Sequence, residues 1–158
     1  MTDSLAEPRL QLRAYQHWLA LTGDAALPPV AALDLEAPGF ADHGLLLRFR
    51  PGGGKPALDH VGEALCEECG LERRPRSLDH IPARSILSRL TDHWLQVVAA
   101  RLPVGFEAEF ADAAGRPTAY RGILMPFSSD GDTVDYAWGV INWRKELRKT
   151  AQIARLFG

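Results

Sequence analysis

The pattern that most constrains this 158-residue chain lies in its last third, where three strand-like segments follow one another with turns between them. In the first segment, four apolar residues alternate with glycine or glutamate: Val104, Phe106, Ala108 and Phe110. This period-two alternation is typical of a strand with one buried face. Turns at 112–117 and 128–132 then separate the segments 118–127 and 133–143. Three strands joined by short turns predict an antiparallel meander.

The second and third strands differ from the first because they are apolar at both parities. The consecutive apolar residues are Ile123, Leu124 and Met125 in one strand and Tyr136, Ala137 and Trp138 in the other. Strands with this pattern are covered on both faces. We therefore expect another element to pack behind the sheet.

Helices and a first hairpin are predicted upstream. Residues 9–22 carry apolar residues at helical spacing, namely Leu10, Ala14, Trp18 and Leu21. After a proline-rich connector at 27–39, the run 43–50 and the segment 57–61 predict a hairpin around Gly52, Gly53 and Gly54. A short helix at 63–69 ends at Gly70.

The longest predicted helix runs from Pro82 to Leu102, ahead of Pro103. Its apolar side carries Ile86, Leu90, Trp94, Val97 and Val98. A basic helix at 144–157 is predicted to end the chain, with a cluster formed by Arg144, Lys145, Arg148 and Lys149. A smaller basic cluster, Arg73, Arg74 and Arg76, lies in the irregular stretch 71–77. Both clusters are expected to be solvated faces, although the last helix could contact a protein partner.

Composition excludes several classes of protein. The chain has 18 Lys and Arg against 20 Asp and Glu, a net charge of −2, so no overall field favours nucleic acid or an anionic membrane. Residues 1–9 have no uninterrupted apolar run, which indicates neither a signal peptide nor a membrane insertion. Two cysteines are too few for a disulfide framework. We expect a cytoplasmic protein.

A family resemblance enters through the last two strands. Residues 120–127 read YRGILMPF, residues 128–132 read SSDGD and residues 134–140 read VDYAWGV. This run resembles a divergent, largely uncharacterised bacterial branch of the PAS domain family. The resemblance implies an α+β fold with a five-stranded antiparallel sheet, helices on one face and an additional N-terminal helix. It predicts a single PAS-like domain over 1–158, with the helix at 9–22, the core at 43–143 and the basic helix at 144–157.

The same resemblance implies signalling. PAS domains sense small molecules, bind cofactors or mediate protein contacts, usually beside a kinase, cyclase or DNA-binding output domain. No output domain is recognisable in this chain, so we expect a stand-alone module that contacts a protein partner such as a signalling kinase or regulator. A homodimer is also expected, with Tyr15, Trp18 and Leu21 as interface candidates.

A sensor of haem, flavin or a lipid-like molecule is the alternative. Its pocket would lie between the long helix and the sheet, lined by Trp94, Phe106, Phe110, Tyr120, Leu124 and Trp138. His93 and Tyr120 are the polar groups available there, and some PAS domains bind haem through histidine. The same aromatic residues are also typical of an ordinary hydrophobic core, so no cofactor is expected. Binding of an unidentified small ligand remains an alternative.

The sequence offers few features that indicate an enzyme or a metal site. A SnoaL-like or isomerase-type enzyme needs a carboxylate or histidine inside its cone, and the apolar parity of 104–110 offers none, so no catalytic residue is assigned. Cys66 and Cys69 form a C-x-x-C with His60 and His80 at unusual distances, a weak zinc pattern. The Asp-His neighbours in the chain point apart on any regular element. A phosphate-binding loop at Gly52–Lys55 is excluded because Pro56 replaces the required Ser or Thr.

Overall fold

The computed structural model describes residues 9–50, 53–72 and 76–146, and the chain forms one continuous sheet with helices on both faces. The helices are α1 (Arg9–Thr22), α2 (Glu63–Cys69), α3 (Ile86–Thr91) and α4 (Trp94–Ala100). The strands are β1 (Gly44–Arg48), β2 (Ala57–Val61), β3 (Arg76–Ser77), β4 (Val104–Ala111), β5 (Pro117–Phe127) and β6 (Tyr136–Lys145). Short 3₁₀ turns occupy Val30–Ala32, Ala41–His43 and Leu78–His80.

The sheet confirms the predicted meander and the predicted first hairpin. Its strand order is β3-β2-β1-β6-β5-β4, and every named strand pair is antiparallel. The β5–β6 ladder runs from Phe127 opposite Tyr136 to Thr118 opposite Lys145. The β1 strand pairs with β6 and joins the hairpin to the meander. Five long strands therefore make the sheet, and the two-residue β3 extends one edge.

Two apolar clusters sandwich the sheet. The first, which we call the helix-side core, joins α2, α3 and α4 to one face and includes Leu47, Leu65, Leu87, Leu90 and Leu124. The second packs α1 against the other face and includes Trp18, Leu46, Met125, Phe127 and Trp138. The expectation that an element covers the back of the sheet is therefore confirmed.

The predicted long helix at 82–102 is wrong, because the structure has two short helices there. The first does not begin at Pro82. Arg84 has a positive φ of 57°, and Ser85 then caps α3 by accepting a hydrogen bond from the Ser88 N–H. Asp92 and His93 separate α3 from α4, and His93 has the non-helical angles φ −89° and ψ 5°. Helical apolar spacing continues across this break, so the pattern alone suggested one helix.

The start of the predicted C-terminal helix is also corrected. Arg144 and Lys145 are the last residues of β6, where Lys145 pairs with Thr118 of β5. The rest of 144–157, from residue 147 onward, lies outside the described residues, as do Arg73 and Arg74. At its other end β6 begins at Tyr136 rather than residue 133, because Asp130 and Asp135 accept hydrogen bonds from the backbone of the preceding turn.

Candidate functional site

Five of the six residues predicted to line a pocket belong to the helix-side core, and Trp138 does not. Leu124 is fully buried there, with Trp94, Phe106, Phe110 and Tyr120 packed around the same cluster. Trp138 lies on the opposite face, in contact with the α1 cluster. Successive residues of a strand face opposite sides, so Ala137 and Trp138 cannot share one face. The sequence did not resolve this, because β6 is apolar at both parities.

Side chains fill the centre of the helix-side core. Leu90, Leu124 and Val97 are each 0% exposed. A methyl group added at Gly139 would lie 2.8 Å from Leu124 Cδ1 and 3.0 Å from Leu90 Cδ2. Leu90 and Leu124 therefore lie directly over Gly139 in the middle of the sheet.

The aromatic residues at the rim of this core pack on one another. The rings of His93 and Phe106 stack with centroids 4.1 Å apart, and Phe110 meets Tyr120 edge-on at 5.6 Å. His93 Nδ1 lies 2.7 Å from Gln96 Oε1, which occupies one of its ring nitrogens. The Arg89 guanidinium covers the Phe110 ring at 5.2 Å. His93 and Tyr120, the two polar groups predicted to contact a ligand, thus pack against other aromatic rings at the edge of the core.

The three residues predicted as an interface have different surroundings. Trp18 is only 4% exposed, and its Nε1 donates a hydrogen bond of 2.7 Å to the Pro126 carbonyl. Leu21 is half-buried against the same cluster, whereas Tyr15 is exposed. Trp18 therefore anchors α1 to its own sheet and is not free for a partner.

The outward side of α1 carries an apolar stripe that the sequence analysis missed. Leu12, Tyr15 and Leu19 are 50%, 38% and 46% exposed. Their spacing of three and four residues places them on one side of the helix, away from the buried Leu10 and Ala14. Tyr15 also stacks on Trp18, with ring centroids 6.4 Å apart. The spacing of Leu12, Tyr15 and Leu19 was visible in the sequence. It was overlooked because the buried stripe on the other side was enough to predict an amphipathic helix.

A cleft of about 410 Å³ opens between α1, the segment 38–43 and β6. The polar residues that line it are Arg13, Asp42, His43 and Asn142. The Arg13 guanidinium lies over the Phe40 ring at 5.4 Å. Burial lowers the pKa of His43, and the nearby Asp42 carboxylate acts in the opposite direction. No local sequence motif predicts this cleft, because its polar groups come from segments that are distant in the chain.

Comparisons with known proteins concern the fold. No family model matches the chain, and no curated protein matches it. A LOV domain from the Erythrobacter litoralis EL346 blue-light activated histidine kinase is similar over 70% of this chain and 100% of that chain, with 12% identity and a TM-score of 0.47. The PAS domain from Bordetella pertussis BvgS is similar over 73% of this chain and 84% of that chain, with 11% identity and a TM-score of 0.38.

The arrangement of the elements decides the fold. Five long antiparallel strands carry α2, α3 and α4 on one face, and the N-terminal helix α1 covers the other. This is the α+β arrangement that the sequence resemblance implied. The fold is PAS-like. Within the described part of this PAS-like domain, no helix is long and apolar enough to cross a membrane.

A second cleft of the PAS-like domain, about 360 Å³, lies beside α3. Four of its charged groups pair with one another. Lys55 Nζ lies 2.8 Å from Asp79 Oδ1, and Arg89 Nη2 lies 3.7 Å from Asp92 Oδ2. This cleft therefore presents mostly neutralised charge to a ligand, unlike the cleft beside α1.

The cysteines of the PAS-like domain pack against neighbouring elements. Cys66 is buried, with its Sγ 3.9 Å from the Val61 carbonyl oxygen. Burial raises the pKa of the half-buried Cys69 thiol, and hydrogen bonds from Leu87 and Ser85 oppose the shift. Among residues 9–50, 53–72 and 76–146, no three His, Cys, Asp or Glu side chains form a group that could hold a metal ion.

Proposed function

We propose that this PAS-like domain is a signalling module that acts through protein contact and assembles as a homodimer through the outward stripe of α1. The stripe consists of Leu12, Tyr15 and Leu19. The observation that carries the proposal is that α1 has two apolar stripes: one is buried against the sheet and the other, formed by Leu12, Tyr15 and Leu19, is exposed. An exposed apolar stripe on a helix whose inner side is already buried favours a second apolar contact.

A second copy of the chain fits this stripe by symmetry. Tyr15 lies between Leu12 and Leu19, so an antiparallel copy related by a two-fold axis would place Leu12 of one chain against Leu19 of the other. The helix sequence RLQLRAYQHWLALT has no acidic residue, so it offers no carboxylate to attract a basic partner helix. These features favour an apolar, self-complementary contact. The family resemblance favours a signalling kinase or regulator as the protein that the dimer contacts.

The filled helix-side core supports this proposal over a cofactor sensor. Leu90 and Leu124 occupy the space above Gly139, and the rim aromatics pack on one another. A ring as large as a flavin or haem would have to displace several buried side chains. In this proposal, signalling occurs through contacts at the protein surface and does not involve a catalytic reaction.

The oligomeric state tests the proposal. We expect light scattering after size exclusion to give the mass of a dimer for the unmodified chain. Replacing Leu12→Glu and Leu19→Glu together should give the monomer mass, because the interface would have to bury charges. Circular dichroism should remain unchanged, since both side chains are exposed.

Leu95→Glu provides the matched control. Leu95 is 63% exposed on α4, so the substitution adds one charge of the same sign at an exposed leucine on the other side of the sheet. It should leave the dimer intact. A monomeric unmodified chain at high protein concentration, or a dimer abolished by Leu95→Glu alone, would refute the α1 interface.

A further inference from the structure

The cleft beside α1 is lined by two oppositely charged residues that pair with no other residue in the part of the chain that the structure describes. Arg13 and Asp42 both line it. Neither side chain forms an ion pair or hydrogen bond with another described residue, although the Asp42 carboxylate interacts electrostatically with the neighbouring His43. The adjacent volume of about 410 Å³ falls in the range of small-molecule sites. The cleft thus differs from the α3 cleft, whose Lys55 and Asp79 pair directly.

The guanidinium of Arg13 is held in place without using its hydrogen-bond donors. Its carbon lies 5.4 Å from the centre of the Phe40 ring. Gly39, at φ +90°, makes room for it, because a Cβ at this position would lie 2.7 Å from Arg13 Nη1. A guanidinium has five N–H donors in a planar fork that matches a carboxylate. Arg13 is therefore positioned by stacking and keeps its donors for another acceptor.

The remaining polar groups of the cleft add no net charge. Burial lowers the pKa of His43, so its imidazole stays neutral above mildly acidic pH. Its ring meets Trp143, which packs against the helix-side core, edge-on at 5.1 Å. Asn142 supplies a neutral amide. Among the described residues that line the cleft, the charged ones are therefore one cation, Arg13, and one anion, Asp42.

We propose that this cleft binds a free α-amino acid or a closely similar small zwitterion, with its carboxylate on Arg13 and its ammonium on Asp42. A simple anion would meet the Asp42 carboxylate, and a simple cation would meet Arg13, so each would gain one contact and suffer one repulsion. A zwitterion satisfies both groups. This ligand would bind on the α1 face, away from the helix-side core, and the inference stands independently of the dimer proposal.

Binding by the full chain to each standard α-amino acid, measured by calorimetry and thermal shift, tests the inference. At least one amino acid should bind and raise the melting temperature with increasing concentration. The corresponding carboxylic acid without the amino group, and the amine without the carboxylate, should each bind at least about tenfold more weakly. If no amino acid binds, or if either half-molecule binds as well as the zwitterion, the inference is wrong.

Charge-removing variants locate the site. Arg13→Gln and Asp42→Asn should each weaken binding at least about tenfold. Arg84→Gln and Asp92→Asn, which remove the same charges from the α3 cleft, should leave it unchanged. All four of these residues are exposed, so all four variants should fold, and circular dichroism checks this. Equal binding by the unmodified chain and the Asp42→Asn variant would overturn the assignment even if Arg13→Gln failed to fold.

Discussion

Asp112, at the end of β4, joins the β4–β5 turn to the last residue of β6. Its Oδ1 accepts hydrogen bonds from the backbone N–H groups of Ala114 and Arg116, at 3.0 Å and 2.8 Å. Its Oδ2 lies 2.7 Å from Lys145 Nζ, which also contacts Glu68 of α2. The Lys145 ammonium and these N–H groups lower the pKa of Asp112 from 3.8 to about 2. One carboxylate therefore connects the turn, the sheet and a helix.

Asp112→Ala should lower the free energy of unfolding at neutral pH by about 1–3 kcal/mol, the usual cost of losing hydrogen bonds to a charged group. Because the folded-state pKa is depressed, the stabilisation is present above the ordinary pKa of 3.8 and is lost as pH falls towards about 2. Urea unfolding of both proteins across this pH range should show the difference shrinking with acid. Asp132→Ala, in the turn before β6, should have a smaller effect, and a difference for Asp112→Ala that is independent of pH would contradict this account.

Helix α3 shows how a short local motif overrides an apolar pattern. Leu90, Trp94 and Val97 keep helical spacing, yet Asp92 and His93 break the helix between them. The start of α3 is fixed by Ser85 and Ser88, whose side chains each accept a hydrogen bond from the other's backbone N–H, at 3.1 Å and 3.0 Å. This reciprocal capping box was visible in the sequence only as two serines three residues apart.

Ser85→Ala should reduce the free energy of unfolding by about 0.5–2 kcal/mol, because the N-terminal N–H groups of α3 lose their acceptor. Chemical denaturation followed by tryptophan fluorescence measures the change. Ser77→Ala is the control, since Ser77 accepts a longer bond of 3.3 Å from the Asp79 N–H at an exposed three-residue turn. Similar losses for the two variants would show that the cap of α3 has no special role.

At the scale of the whole molecule, those parts of the fold that depend on local sequence patterns were predicted correctly. The meander followed from alternation and turns, and the need to cover β5 and β6 from behind followed from their apolar residues at both parities. Because of the same double parity, Trp138 was predicted to line the pocket on the helix side, whereas it packs in the α1 cluster on the other face. The Arg13–Asp42 cleft was invisible, because it depends on how α1 lies over β6.

The two apolar clusters together predict that the chain folds without a cofactor. Both faces of the sheet are covered by the chain's own side chains, and we therefore predict that the core forms without a ligand. After unfolding in urea, the protein should refold by dilution alone, with an absorption spectrum free of haem or flavin bands. Adding flavin mononucleotide or haemin should not shift the unfolding midpoint, because only a ligand that binds the folded state raises it. A midpoint that rises with flavin or haemin concentration would instead mean that the leucines above Gly139 move aside to admit a cofactor.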